Sequence, residues 1–211
     1  FAAQIGDSPL AIAEYYQPLD VGLHYFINPR AFYDSRSIGF FKGENEIDEY
    51  RVQRYGVDLA AGRVLGRWGE VRLGLRRYGG RADVYIGDRA DPDYDINSAE
   101  AYVRLYYDTL DNRNWPHSGA IATWEWIQSV DVLGADDYDF SQSVLRAGGA
   151  HSGGRNTFFG GLEFDYTADG DAPVQNRFRI GGFTKLSGFT QDQLSGQQVA
   201  LLRSGYYRSL G

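Results

Sequence analysis

The segment "AHSGG", residues 150–154, holds the residue types of a serine hydrolase: Ser152 between small neighbours, with His151 beside it. A Gly-x-Ser-x-Gly elbow works by seating serine on a sharp strand-to-helix turn. Here Ala150 replaces the first glycine, and the following "RNTFFGGLEFDY" reads as a strand, so a glycine-rich hairpin turn is expected instead. A second candidate, "DRADPDYDIN" (88–97), spaces Asp91, Asp93 and Asp95 like a calcium loop. Ile96 and Tyr102 stand where that loop needs glycine and glutamate, which favours a solvated surface loop. His24, His117 and His151 are dispersed without metal-ligand spacing. The chain is therefore expected to carry no catalytic, cofactor or metal site of its own.

The elements that would hold such groups are strands. In "GEVRLGLRRYGG" (69–80), Val71, Leu73 and Leu75 point to one face, and Glu70, Arg72, Gly74 and Arg76 to the other. The same period of two sets Tyr55, Val57 and Leu59 against Arg54, Gly56 and Asp58, and Val103, Leu105 and Tyr107 against Arg104 and Asp108. Trp124 and Trp126 oppose Thr123 and Glu125; Phe158, Leu162, Phe164 and Tyr166 oppose Phe159, Gly161, Glu163 and Asp165. Segments 11–19, 21–29, 48–62, 69–87, 98–108, 119–130, 139–149, 156–166 and 197–210 make about nine strands, with no convincing amphipathic helix.

Alternation fits two opposite architectures: a soluble sandwich or small barrel with its apolar face inside, and a membrane barrel with that face outside. Three features favour lipid. Several alternations persist beyond the usual 5–6 or so residues, toward the about 9–11 of a bilayer-crossing strand. Glycines (Gly56, Gly74, Gly161) recur on the polar face, and Tyr and Trp gather near strand ends as interfacial girdles do. Connections alternate between short ("GRW") and long or acidic ("GDRADPDYDINS", "GADDY"), as at the two rims of a barrel. On this reading Arg54, Asp58, Glu70, Arg72, Arg76, Arg104, Glu163 and Asp165 line a hydrated lumen.

Composition excludes other classes. Among 211 residues there are 21 Lys+Arg and 28 Asp+Glu, a net charge of −7, which argues against a nucleic-acid surface. No apolar run reaches the length of a transmembrane helix, and the absence of cysteine rules out disulfides and thiolate metal sites. There is no methionine and the chain starts at Phe1, as expected of a chain processed or cut at its front.

Two stretches go beyond pattern. In "YYDTLDNRNWPHSGAIATWEW" (106–126), Asp108, Asp111, Trp115, Pro116 and Gly119 compose an Asp-rich turn and an aromatic-Pro-x-x-Gly corner that opens the next strand. In "RFRIGGFTKLSGFTQDQLSG" (177–196), Gly181 and Gly182 precede a Leu186-Ser187-Gly188-Phe189 tetrad. Both stretches resemble the hallmarks of the BamA/TamA-type outer-membrane barrel superfamily, known also as the bacterial surface antigen domain. The second resembles its long loop that folds back into the lumen. Ser187 stands where that family usually places an arginine bonded to the inner wall; Lys185 and Arg179 are the nearby cations that could replace it.

The Leu-Ser-Gly variant and the following "QDQLSGQQVALLRSGYYRSL" are most similar to the C-terminal barrel of patatin-like phospholipases secreted by the type V (subtype d) route. The resemblance implies an all-β antiparallel transmembrane β-barrel segment spanning 1–211, part of a 16-stranded barrel, with a lumen loop around 170–197. It implies a place in the outer membrane of a Gram-negative bacterium, among outer-membrane lipids, an attached or exported passenger and the outer-membrane assembly machinery. No nucleic-acid partner is expected, and oligomeric state is open. The implied role is an autotransporter-like translocator and anchor, not an enzyme, with any Ser–Asp dyad in an upstream passenger. The alternatives are an assembly or secretion pore preceded by POTRA domains, a barrel esterase using Ser152, and a soluble β-sandwich binding module.

Overall fold

The computed structural model describes residues 1–42, 45–86, 93–136, 139–183 and 185–209, side chains of 40–48 excepted. Its strands are β1 (Ala2–Gln4), β2 (Leu10–Glu14), β3 (Gln17–Pro18), β4 (Tyr25–Lys42), β5 (Asn45–Val64), β6 (Gly69–Ile86), β7 (Tyr94–Asp108), β8 (Ser118–Ser129), β9 (Phe140–Gly153), β10 (Asn156–Gly170), β11 (Phe178–Ile180), β12 (Leu194–Gly196) and β13 (Gln198–Arg208). Eleven of them form one antiparallel sheet in the order β1-β2-β4-β5-β6-β7-β8-β9-β10-β13, with β3 also on the edge of β4. The sheet is open, ending at β1 and β13; β11 and β12 make a separate ribbon inside the long connection before β13.

The alternating segments correspond to β2, β4 to β10 and β13. The pattern misses β1, β3, β11 and β12, which have only two or three residues each and cannot display a period. Residues 11–19 are split between β2 and β3. The strand expected at 21–29 begins later, at Tyr25, because Asp20 Oδ1 accepts the amides of His24 and Tyr25 at 2.8 Å and closes a turn. It then runs for 18 residues, far past Asn28.

Polarity is inverted relative to a soluble sandwich. Leu73 and Leu75 are 60% and 56% exposed, while the Arg72 and Arg76 side chains on the opposite face keep only 19% and 16%. A packed sandwich would bury the leucines, so that alternative falls. Tyr33 and Tyr55 lie in register on the apolar face toward the long-loop rim. Tyr25, Trp68, Tyr107 and Tyr206 stand exposed toward the short-turn rim. From Tyr55 to Arg63 the strand covers about 26 Å at ~3.3 Å per residue, the scale of the ~25 Å apolar band of outer-membrane barrels.

Beyond the Tyr33–Tyr55 row the wall changes character. Ile38, Tyr50, Val52, Tyr78, Ala82 and Ile96 form a buried apolar cluster on the inner face. The outward residues at that height are Ser37, Arg51, Gln53, Arg81 and Asp83, joined in register across β4, β5 and β6. Register irregularities fall in this upper part: between Phe40 and Phe41, Glu49 and Tyr50, and Thr167 and Asp169.

Candidate functional site

The inner face of β4 to β8 converges on Arg76. Antiparallel pairing places Asp58 and Glu100 directly beside it, on β5 and β7. Its guanidinium donates to Asp58 Oδ2 at 3.3 Å and Glu100 Oε2 at 3.0 Å, and lies 3.6 Å from Glu125 Oε1. Arg30 reaches Asp58 at 3.0 Å and Arg104 reaches Glu125 at 2.5 Å. Three cations thus meet three carboxylates. The Tyr102 and Tyr78 hydroxyls donate to Asp58 at 2.8 Å and Glu100 at 2.7 Å. Asp58 and Glu100 are 5% and 2% exposed, and their lost hydration is offset by the arginine pairs and tyrosine hydrogen bonds.

All eight residues expected to line the lumen share this face, but they do not form one cluster. Asp58, Arg76 and Arg104 belong to the hub, and Arg54 pairs with Asp34 at 3.0 Å beside it. Glu70 and Arg72 pair with each other toward the short-turn rim, where Arg72 also donates to Asn28 at 3.0 Å. Glu163 and Asp165 sit on β10 with Arg146, which donates to them at 3.3 and 3.0 Å. Sequence reading missed Arg30, Asp34, Glu100 and Arg146 as partners. Each lies on the polar face of its strand, but pairing depends on strand register, which alternation within one strand does not specify.

The connection 171–197 lies against this wall. The amide of Asn176, in a short 3-10 turn at Val174–Asn176, donates to Glu100 at 3.0 Å, and Gln142 donates to the Asn176 carbonyl at 3.0 Å. Arg36 donates to the Gln175 carbonyl at 3.1 Å, and Arg179 to the Gly39 carbonyl at 3.1 Å. Further on, Gly181 (φ +141°) brings its backbone so close to Thr190 that a Cβ would meet the Thr190 carbonyl at 2.2 Å. The tip then turns back through bonds from the Gly182 amide to the Phe189 carbonyl and from the Phe189 amide to the Leu186 carbonyl, both 3.1 Å. Ser187, Gly188 and Phe189 are exposed on this turn. Lys185 instead reaches the wall, donating to Glu163 at 2.9 Å. Of the two cations near the missing arginine, Lys185 meets an inner-wall carboxylate and Arg179 a backbone carbonyl.

The other motif shapes the β7–β8 connection. Asp111 Oδ1 accepts the amides of Asn112, His117 and Ser118, each at 3.0 Å. These N–H groups, Ser118 foremost, hold the carboxyl below its ordinary range. Asp108 accepts the Leu110 amide at 3.0 Å and Arg113 Nη2 at 2.7 Å. Gly119 adopts φ +97°, and a Cβ there would lie 2.1 Å from the Thr109 carbonyl. Trp115 packs on Tyr207 of β13, ring centroids 4.5 Å apart, and the Tyr207 hydroxyl donates to the Pro116 carbonyl at 2.7 Å. Tyr207 is a partner the motif did not announce.

Ser152 lies in strand–turn–strand geometry, with Gly154 (φ +64°) leading into β10, rather than in an elbow before a helix. Its hydroxyl donates to the His117 carbonyl at 2.8 Å and meets Thr157 Oγ1 at 2.7 Å. His151 is registered with Phe158 on the opposite face. Asp91 of the calcium-like segment lies outside the described residues; Asp93 accepts the Val84 amide at 3.0 Å. Among the described residues no three His, Cys, Asp or Glu side chains gather as a metal site.

A family model described as the Omp85 superfamily domain matches residues 13–205. A solved structure of BamA from Haemophilus ducreyi, lacking POTRA domains 1–3, is similar in fold with a TM-score of 0.70 and 17% sequence identity. That likeness covers 88% of this chain and 38% of the BamA chain, so the present chain spans well under half of its relative. No curated protein matches.

Proposed function

Because this chain belongs to the Omp85 superfamily of bacterial outer-membrane barrels, we propose that it serves as the translocator and anchor of an attached passenger, a patatin-like phospholipase. The wall itself does no chemistry in this reading. Paired charges keep the lumen polar enough for an extended or plugging segment to rest there, while the apolar outer face meets lipid. The observation that carries the proposal is the Lys185–Glu163 contact, which ties the Leu-Ser-Gly-Phe loop to β10 without the arginine usual in the family. The tip of the loop is held by a partly exposed ion pair instead of a bidentate arginine fork.

Lys185→Met in the full-length protein tests this with two readouts: heat-modifiable gel mobility for the folded barrel, and protease-accessible passenger on intact cells for display. Display should fall several-fold while the folded fraction holds. Equal loss of both, or loss of neither, overturns the proposal.

The likeness to BamA, whose solved structure is described as lacking POTRA domains 1–3, favours a second reading, an assembly pore preceded by such domains. Upstream coding sequence separates the two: Gly-x-Ser-x-Gly and Asp-Gly motifs belong to the lipase, repeated POTRA modules to the pore.

A further inference from the structure

The outer wall is not uniformly apolar. One cross-strand row on that face runs Ala13–Ala31–Val57–Arg77–Ala99, placing an arginine among small and aliphatic residues. Arg77 lies one pleat-step, about 7 Å along the strand, on the hydrocarbon side of the Tyr33–Tyr55 row. A charge at that depth is costly unless it is satisfied or reaches the interface.

Hydrogen bonding is satisfied, and among the described residues no carboxylate pairs with the charge. Nη1 donates to the carbonyls of Tyr78 at 2.8 Å and Ser98 at 3.1 Å, and Nη2 to the Asn97 side chain. The remaining two bonds, to the carbonyls of Leu133 at 3.3 Å and Gly134 at 3.4 Å, are the longest and the most exposed. All five acceptors are uncharged oxygens. The carboxylate of Asp136 meets Asn97 Nδ2 at 3.1 Å rather than the guanidinium. Leu133 holds a positive φ of 56° and projects its side chain, 78% exposed, from the connection that caps Arg77.

Beside the capped arginine lies a groove of about 650 Å³ walled by Ala13, Ala31, Val57, Leu59, Leu75 and Leu133. Its volume falls within the ~300–1,000 Å³ of small-ligand clefts. Alanines of β2, β4 and β7 make the hollow; leucines and valine make its walls. The groove opens onto the membrane-facing surface, so what fills it in place is hydrocarbon. A cation with uncharged acceptors at its interfacial end selects the headgroup above that hydrocarbon.

We propose that this groove is a docking site for a lipid with an anionic phosphate headgroup, one acyl chain lying along Ala31 and Leu75 and the headgroup drawn to Arg77. Native mass spectrometry of the full-length protein in micelles, offered phosphatidylglycerol or phosphatidylcholine of identical chains, tests it. Wild type should retain the anionic lipid several-fold over the zwitterionic one, and Arg77→Gln should abolish that preference. Ala31→Phe, which fills the hollow, should cut retention of both lipids. Leu133→Asp, outside the strand ladder and suited to a positive φ, should lower retention of the anionic lipid alone if Ala31→Phe fails to fold. Equal retention of the two lipids by wild type overturns the proposal. So does displacement of phosphatidylglycerol by inorganic phosphate, which would leave an anion site without a chain, or a change of oligomeric mass in Ala31→Phe without lipid loss, which would assign the groove to a second copy.

Discussion

Strands β4, β5 and β6 cross two environments, and the same backbone carries opposite side-chain patterns in them. On the lower stretch Leu59, Leu73 and Leu75 face outward and Asp58, Arg72 and Arg76 inward. On the upper stretch Arg51, Gln53, Arg81 and Asp83 face outward, and Val52, Ala82 and Ile38 are buried inside. The row of Tyr33 and Tyr55 marks the change. Strand geometry is constant across it, so the surrounding solvent decides which face must be apolar. Where hydrocarbon bathes the exterior, most ionised groups retreat to the axis and pair, Arg77 being capped by carbonyls instead; where water bathes it, the interior can hold an ordinary core.

The sharpest way to break this contrast is at the hub of the lower stretch. Arg76→Met strands Asp58, Glu100 and Glu125 without their shared cation, and should cost about 3–5 kcal/mol, read as a lowered transition in thermal gel-shift assays. Adding Glu100→Gln should recover part of that loss, since the two positions share one network. A charge placed outside probes the boundary directly. Leu73→Lys should destabilise the lipid-embedded protein by about 2–4 kcal/mol, whereas Gln53→Lys, above the tyrosines, should stay within about 0.5 kcal/mol. Similar costs at the two sites would erase the distinction.

The rim turn lies beyond both stretches and should respond more weakly. Gly119→Ala forces a side chain onto the Thr109 carbonyl at φ +97° and should cost about 1–3 kcal/mol. The smallest effect belongs to Asp111. Its carboxyl is held below the ordinary value of 3.8, so its contribution is fully present above that pH and fades as pH falls through the lowered value. Asp111→Asn should flatten that acid limb, followed through the Ser118 amide by nuclear magnetic resonance, while the barrel stays folded.

The contrast also explains what could be read from residue order. Strands at hydrocarbon level announce themselves, because lipid enforces alternation, as in "EVRLGLR" before Arg77 interrupts it. The upper half of β4 has no such signature: Ser35 and Ile38 are buried while Ser37 faces water, so the pattern looks mixed and alternation alone ends the strand at Pro29. The lumen charges were identifiable by type and face. Their partners were not, since the meeting of Arg76 with Glu100 depends on register between β6 and β7. Asn176 sits in "DAPVQNRF", which has no periodicity at all, and only the folding of the loop brings it to Glu100.

The bulges of the sheet fall where an interrupted ladder is harmless. Each leaves a backbone group without its strand partner, a loss that water or a nearby side chain makes good but acyl chains cannot. Residues can therefore be added to or removed from the crown of the wall without reopening the spanning portion, so surface exposed to the cell's surroundings can diversify while the bilayer-crossing frame keeps its pitch.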